Sequence, residues 1–303
     1  MEKNKIDVQL IIELFGLHKE NDFAGQIARP SINRAGLALG GNYLGEALWK
    51  NIVAWGTNES EFLISLDHTR RLEAISRVLN CKPPLLMLSI GFSRELLQEV
   101  LEIANQCEVQ VVTSEEHLST LIANIGSYLS EFFAKTVAVH ASAVVVNGVG
   151  VMIIGPSGIG KSEAVLELIQ DGHTFVSDDT VIISRLGSRF IGKPSPITED
   201  LLEVRGIGLI DIRHTYGSTM MRSKMDIDLV LELVAFDSSV SFDRLGTEYM
   251  EYNVLDGVIK KIQIPVKQGR TISSLVVAAV NSYLVKKDGI DPFQKIQERI
   301  QNK

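Results

Sequence analysis

The octapeptide Gly155-Pro156-Ser157-Gly158-Ile159-Gly160-Lys161-Ser162 has the spacing G-x-x-x-x-G-K-[ST], and it limits the fold of this chain more than any other stretch. Such a loop functions only between a buried strand and a helix. Val149-Gly150-Val151-Met152-Ile153-Ile154 ahead of it is apolar enough for the strand, and Glu163 to Ile169 behind it carries apolar residues at helical spacing. The glycines let backbone N–H groups converge on an anion, the helix N-terminus adds partial positive charge, and Lys161 adds a full one. The loop therefore predicts a site for nucleotide phosphates, with Ser162 as a ligand for Mg²⁺. It does not fix the reaction.

Upstream, Val137 to Val146 is a second apolar run, joined to the first by Asn147-Gly148. Asn-Gly between two β-branched runs is a strong hairpin signal. The strand that feeds the phosphate loop is expected to pair antiparallel with its predecessor, unlike Ras-like and ATPase folds, where a parallel crossover leads in. There is no L-S-G-G-Q signature, and no long apolar strand ending in an acid far downstream. His140 interrupts the upstream run; it is either a satisfied core histidine or, through the hairpin, a neighbour of the transferred phosphate.

The formal charge of −7 argues against nucleic acid or an anionic membrane as a general partner. The N-terminal residues lack the apolar core of a signal peptide, and no run of membrane length occurs, so the protein is expected to be cytoplasmic. Cys81 and Cys107 are too far apart in sequence for a local metal knuckle and are read as small buried thiols.

The fold class is α/β, in two domains. Residues 1–134 read as an N-terminal α/β domain and residues 135–303 as a phosphate-loop catalytic domain ending in helices. In the first, Ile6 to Leu14 reads as helix, Leu63 to Ile64 and Leu85 to Ile90 as buried strands, Ser93 to Asn105 as a Ser93-capped helix, Val109 to Val112 as a strand and Glu115 to Phe133 as the exit helix. Gly40, Gly41 and Gly45 lack dinucleotide-site order and read as turn glycines.

Beyond the loop, the segment Ser177-Asp178-Asp179-Thr180 opens the next strand. Extended neighbours face opposite ways, so one acid can approach the metal and Ser162 while the other reaches the phosphoryl acceptor as a base; a solvated acidic turn is the alternative. The segment Glu203-Val204-Arg205-Gly206-Ile207-Gly208 offers a second Mg²⁺ carboxylate in Glu203 and a phosphate clamp in Arg205, or else a buried ion pair beside turn glycines. Arg244 and the loop Pro265-Val266-Lys267-Gln268-Gly269-Arg270 place further cations near turns that can gather around an anion.

Taken in order, His140, the hairpin, the phosphate loop, Asp178-Asp179, the Glu203 to Gly208 segment, Asp243-Arg244-Leu245-Gly246 and the Pro265 to Arg270 loop resemble the HPr kinase/phosphorylase family. Arg29-Pro30, Trp55 to Glu59 and the Val276 to Leu284 helix extend the resemblance along the whole chain. It implies an ATP- and Mg²⁺-using enzyme that phosphorylates a serine of the phosphocarrier protein HPr and removes that phosphate by phosphorolysis. It also implies a homohexamer and a nucleotide core similar to that of phosphoenolpyruvate carboxykinase. Carried over residue by residue, Asp179 is the base in one direction and the acid in the other. His140 is its neighbour, Lys161 the phosphate cation, and Ser162 and Glu203 metal ligands, while Arg244 and the Pro265 to Arg270 loop serve catalysis and phosphate removal. Departures from the family pattern are Pro156 where an acid is common, Asp211 to Gly217 without the usual Leu-Phe, and Gln268 and Thr271 in the late loop. A small-molecule kinase and a nucleotide-dependent regulatory module on the same core are the competing readings.

Overall fold

The computed structural model describes residues 5–41, 50–236, 249–267, 271–290 and 292–301. Gly45, Arg244 and its neighbours, Gln268, Gly269 and Arg270 lie outside the described residues. The chain divides into two compact units, Met1–Phe133 and Ala134–Lys303.

The elements of the first unit are β1 (Ile6–Asp7), α1 (Val8–Leu14), β2 (His18–Lys19), β3 (Gln26–Ile27), β4 (Ile32–Asn33), α2 (Gly36–Leu39), β5 (Ile52–Trp55), α3 (Thr57–Ser65), α4 (His68–Leu79), β6 (Leu86–Leu88), α5 (Leu97–Cys107), β7 (Val111–Thr113) and α6 (Leu118–Phe132). Strands order as β2-β7-β6-β5-β4, with β4 to β7 parallel to one another and β2 antiparallel to β7. Both faces of the central strands are covered, so β5 and β6 are apolar and buried at every position rather than alternating. Val53, Trp55, Leu86 and Leu88 pack with α4 and α5 on one side, while Ile52, Ala54, Leu85 and Met87 pack with α1 and α6 on the other.

Two expectations need correction here. Leu63 and Ile64 belong to α3 and not to a strand: Glu59 accepts from the Gly56 N–H at 2.9 Å, fixing a helix start, and Leu63 is then the buried residue on one helical face. The helix expected from Ser93 begins as a short 3-10 turn, Arg94–Leu96, capped by Ser93, before α5.

The second unit contains β8 (Thr136–His140), β9 (Ser142–Val146), β10 (Val149–Ile154), α7 (Lys161–Gln170), β11 (Thr174–Ser177), β12 (Thr180–Leu186), β13 (Arg189–Pro194), β14 (Leu201–Val204), β15 (Gly208–Asp211), α8 (Ile212–Tyr216), β16 (Met225–Asp226), β17 (Leu229–Ala235), β18 (Met250–Val254), β19 (Gly257–Val266), α9 (Ile272–Lys287) and α10 (Pro292–Gln301). A six-stranded sheet, β11-β9-β10-β17-β19-β18, carries α7 and α9 on one face and a four-stranded sheet, β16-β13-β12-β8, on the other. The expected hairpin is present: β9 and β10 are antiparallel, with Asn147 and Gly148 at φ of 50° and 82°. On its other side β10 pairs in parallel with β17, an apolar strand whose acid, Glu232, lies inside the strand and is held by Lys261 and Gln263.

The run Val137 to Val146 is not one strand, as the sequence suggested. It breaks at Ala141 into β8, in the four-stranded sheet, and β9, in the six-stranded one. His140 is therefore not on the hairpin; its partner across the sheet is Thr180 of β12.

Gly150 lies where the chain after β16 crosses β10, and a Cβ there would fall 1.7 Å from the Asp226 carbonyl oxygen. Backbone must move to admit one. Gly150→Ala is expected to lower the unfolding free energy by about 2–3 kcal/mol or more, read as a shifted urea midpoint.

Candidate active site

β10 delivers Gly155 to Ser162 at its C-terminal end, and α7 starts at Lys161. Gly160 has a φ of 106°, which a side chain disfavours, and a Cβ on it would meet Ile272 Cδ1 at 2.8 Å. The first turn of α9 thus closes on the glycine loop, and Ser273 Oγ, buried, donates to Glu167 of α7 at 2.7 Å.

Two chain crossings bring the acids and the histidine to this loop. β8 passes into β9 at Ala141, and β11 passes into β12 through Asp178-Asp179, so both connections between the sheets lie at the same end as the phosphate loop. The acids do not begin an extended strand, as expected. They form a tight turn in which the Thr180 N–H bonds the Asp178 carbonyl at 2.8 Å and Asp179 takes a φ of 65°. An Asp tolerates this left-handed conformation better than a β-branched residue. The two side chains still diverge. Asp178 is 3% exposed, whereas the Asp179 side chain is 58% exposed.

Asp178 is held by two hydroxyls: Ser142 Oγ donates to Oδ1 at 2.5 Å and Ser162 Oγ to Oδ2 at 2.8 Å. His140 Nδ1 lies 2.9 Å from the Asp179 carbonyl oxygen and 3.2 Å from its Oδ1. Both are acceptors, so Nδ1 carries the hydrogen. Its Nε2 faces Lys161 Nζ at 3.2 Å, and an ammonium only donates, so Nε2 presents its lone pair. Lys161 also donates to the carbonyls of Gly155 and Pro156, at 3.0 and 3.3 Å. Burial pulls the Lys161 pKa below its usual value, against the opposing pull of Asp178, Asp179 and Glu163.

A cavity of about 120 Å³ is lined by His140, Ser157, Gly158, Gly160, Lys161, Ser162, Glu163, Asp178, Asp179, Glu203 and Arg205. Glu203 and Arg205 reach it because β14 and β15 form a hairpin whose alternate residues Leu202 and Val204 are buried in the core, leaving the intervening side chains exposed. They do not form a buried ion pair. The Arg205 guanidinium lies over Gly158, where a Cβ would come within 3.1 Å of Nη1. Gly155, Pro156, Ile159, Val204, Gly206, Ile207 and Gly208 frame these segments without lining the cavity. Pro265 and Val266 end β19, parallel to β17, Lys267 follows them, and none of the three lines it.

Two residues of the site were not singled out in the sequence. Glu163 had no signal beyond its place after Ser162. Ser142 had one: it is the lone hydroxyl in the otherwise apolar run Ala141 to Val146.

The oxygen set of Ser162, Asp178 and Glu203 is chemically suited to Mg²⁺, which binds through one or two carboxylates together with substrate phosphates and waters. No cluster of three or more His, Cys, Asp or Glu side chains arranged around a common metal position occurs among the described residues. Among the described residues, no helix is long and apolar enough to cross a membrane.

The sequence matches the family model described as HPr Serine kinase N terminus over residues 4–129, and the one described as HPr Serine kinase C-terminal domain over residues 131–300. The chain belongs to the HPr serine kinase family. It is 40% identical over 306 residues to a protein of Mycoplasmopsis pulmonis named HPr kinase/phosphorylase, covering 99% of each chain. A protein of the same name from Alkaliphilus metalliredigens is 34% identical over 275 residues, covering 90% of this chain and 88% of that one. A solved structure of the Hpr(Ser) kinase/phosphatase from Coxiella burnetii aligns with a TM-score of 0.48 and 28% identity, over 54% of this chain and 99% of that one. The chain thus has the two-domain organisation of the HPr serine kinase family, with a mixed α/β fold.

Arg205 is exposed and sits over the glycine loop, so its removal should weaken phosphate binding without disturbing the core. Arg205→Ala is expected to raise the dissociation constant for ATP about tenfold by calorimetric titration, the loss of a charge-assisted contact, with the urea midpoint unchanged.

Proposed function

We propose that this chain is a bifunctional HPr kinase/phosphorylase. It transfers the terminal phosphoryl group of ATP to a serine of the phosphocarrier protein HPr, and it removes that group with inorganic phosphate, releasing pyrophosphate. Membership of the HPr serine kinase family and the names of its relatives support the reading. The observation that carries it is the meeting of a phosphate loop, an exposed carboxylate and a histidine in one cavity.

Phosphoryl transfer is governed by positioning and by charge stabilisation. Lys161, the loop N–H groups and Arg205 supply fixed positive charge for the phosphates. Mg²⁺, held through Ser162, Asp178 and Glu203, would spread the charge of the transferring group. Asp179 is the group placed to take the proton from the attacking serine hydroxyl, since its side chain is exposed at the cavity while that of Asp178 is buried and bonded by Ser142 and Ser162. The His140 Nδ1–H braces the Asp179 side, and its Nε2 faces Lys161.

In reverse, a phosphate oxygen attacks the phosphoserine phosphorus and forms the P–O–P bond of pyrophosphate. The bond from phosphorus to the serine oxygen breaks, and Asp179 returns a proton to that oxygen. Both directions use one cavity, with phosphate standing where the β-phosphate of ATP stands in the forward reaction.

The finer features belong to the same reading. Arg244 and the Pro265 to Arg270 loop assist transfer and phosphate removal, with Gln268 tuning the latter. The catalytic unit, from residue 135 onward, has a nucleotide core of the phosphoenolpyruvate carboxykinase kind. The protein assembles as a homohexamer and works in the cytoplasm, with no nucleic acid or membrane as partner.

Purified protein given ATP, Mg²⁺ and HPr should yield phosphoserine on HPr by mass spectrometry, and phosphorylated HPr with inorganic phosphate should yield pyrophosphate. Asp179→Asn is expected to slow both by about 10²–10⁴-fold while ATP binding persists. A variant that keeps both activities overturns the assignment of Asp179.

A further inference from the structure

Asp178 and Ser142 form the most deeply buried polar pair at the site. Ser142 is fully buried, on a strand whose other members, Ala143, Val144, Val145 and Val146, are also buried and apolar. A hydroxyl in such a strand is unfavourable unless it is bonded. Its partner is a carboxylate, which makes the bond charge-assisted and compensates the burial.

The position of Ser142 explains what the bond does. β9 pairs with β10 on one side, Ser142 facing Ile153, and with β11 on the other, Ala143 facing Ser177. Ser142 therefore lies between the strand that leads into the phosphate loop and the strand that leads into the Asp178-Asp179 turn. By engaging Oδ1, its hydroxyl fixes the rotation of the Asp178 carboxylate and leaves Oδ2 directed at Ser162. The hydrogen of Ser162 then points to Oδ2, and its oxygen lone pairs are left available to the cavity.

We propose that Ser142 is a positioning residue for the reaction: it orients the Asp178 carboxylate, which in turn orients the Ser162 hydroxyl for a hard cation bound with the nucleotide. It touches no reacting atom. This inference rests on the reading of Ser162 and Asp178 as the cation-binding arm of a phosphoryl-transfer site.

The test compares nucleotide affinity with and without the metal, so that it does not depend on turnover. A fluorescent ATP analogue is titrated into the full chain in EDTA and then across a Mg²⁺ series, for wild type, Ser142→Ala, Ser142→Thr and Ser162→Ala. Ser142→Ala is expected to raise the Mg²⁺ concentration at half effect about tenfold, the loss of one charge-assisted hydrogen bond, and to leave affinity in EDTA within about twofold. Ser142→Thr, which restores the hydroxyl, is expected to recover most of the Mg²⁺ response. A thermal melt accompanies each variant, and if Ser142→Ala does not fold, Ser142→Cys, with its similar volume and weak donor, is read in its place. An unchanged Mg²⁺ response in Ser142→Ala beside a raised one in Ser162→Ala overturns the role of Ser142 alone. Equal loss of affinity with and without Mg²⁺ also overturns it, because general damage to the loop would then be the cause. An unchanged response in Ser162→Ala overturns the underlying reading of the cation arm.

Discussion

The site depends on a corner at which two sheets exchange strands. Chain leaves the four-stranded sheet at His140 to become β9, and leaves the six-stranded sheet at Ser177 to become β12. The two transitions are neighbours because β8 pairs with β12 and β9 pairs with β11. Since β9 is also the hairpin partner of β10, the corner is locked to the end of the strand that carries the phosphate loop. Hydrogen-bonded pairing between strands, rather than any contact made by the catalytic side chains themselves, is what brings residues far apart in sequence to one cavity.

At that corner the chemistry is divided by burial. Asp178 is buried and bonded by a hydroxyl at each oxygen, which holds the carboxylate in a fixed direction. Asp179, the next residue, is turned outward by its left-handed backbone and stays exposed at the cavity. Between Asp179 and Lys161 stands the His140 imidazole, with Nδ1 on the acid side and Nε2 on the ammonium side. The arrangement keeps an anion and a cation close to each other without a direct ion pair between them, so each remains available to substrate.

Much of this was readable in the sequence, because its signals are local. The phosphate loop, the Asn147-Gly148 hairpin and the helix after Lys161 depend on neighbouring residues and on short-range conformational preferences. What was not readable was the break at Ala141, since Val137 to Val146 has no glycine or proline to mark a change of sheet, and its two polar residues, His140 and Ser142, are each compatible with one continuous strand. His140 was therefore placed near the loop for the wrong reason, through the hairpin instead of through β12. In the same way, the separation of Asp178 from Asp179 was expected from strand alternation and is produced by a turn. Leu63 and Ile64 looked like a strand because two apolar residues do not distinguish periods of two and 3.6; the Glu59 cap, a tertiary and local feature together, decides it.

The contact of Ile272 with Gly160 joins the far end of the sequence to the nucleotide loop. α9 begins just after the late loop and is tied to α7 by the bond between Ser273 and Glu167. The size of the side chain at Ile272 therefore limits what position 160 can carry, which makes a helix near the end of the sequence part of the frame around the glycine loop.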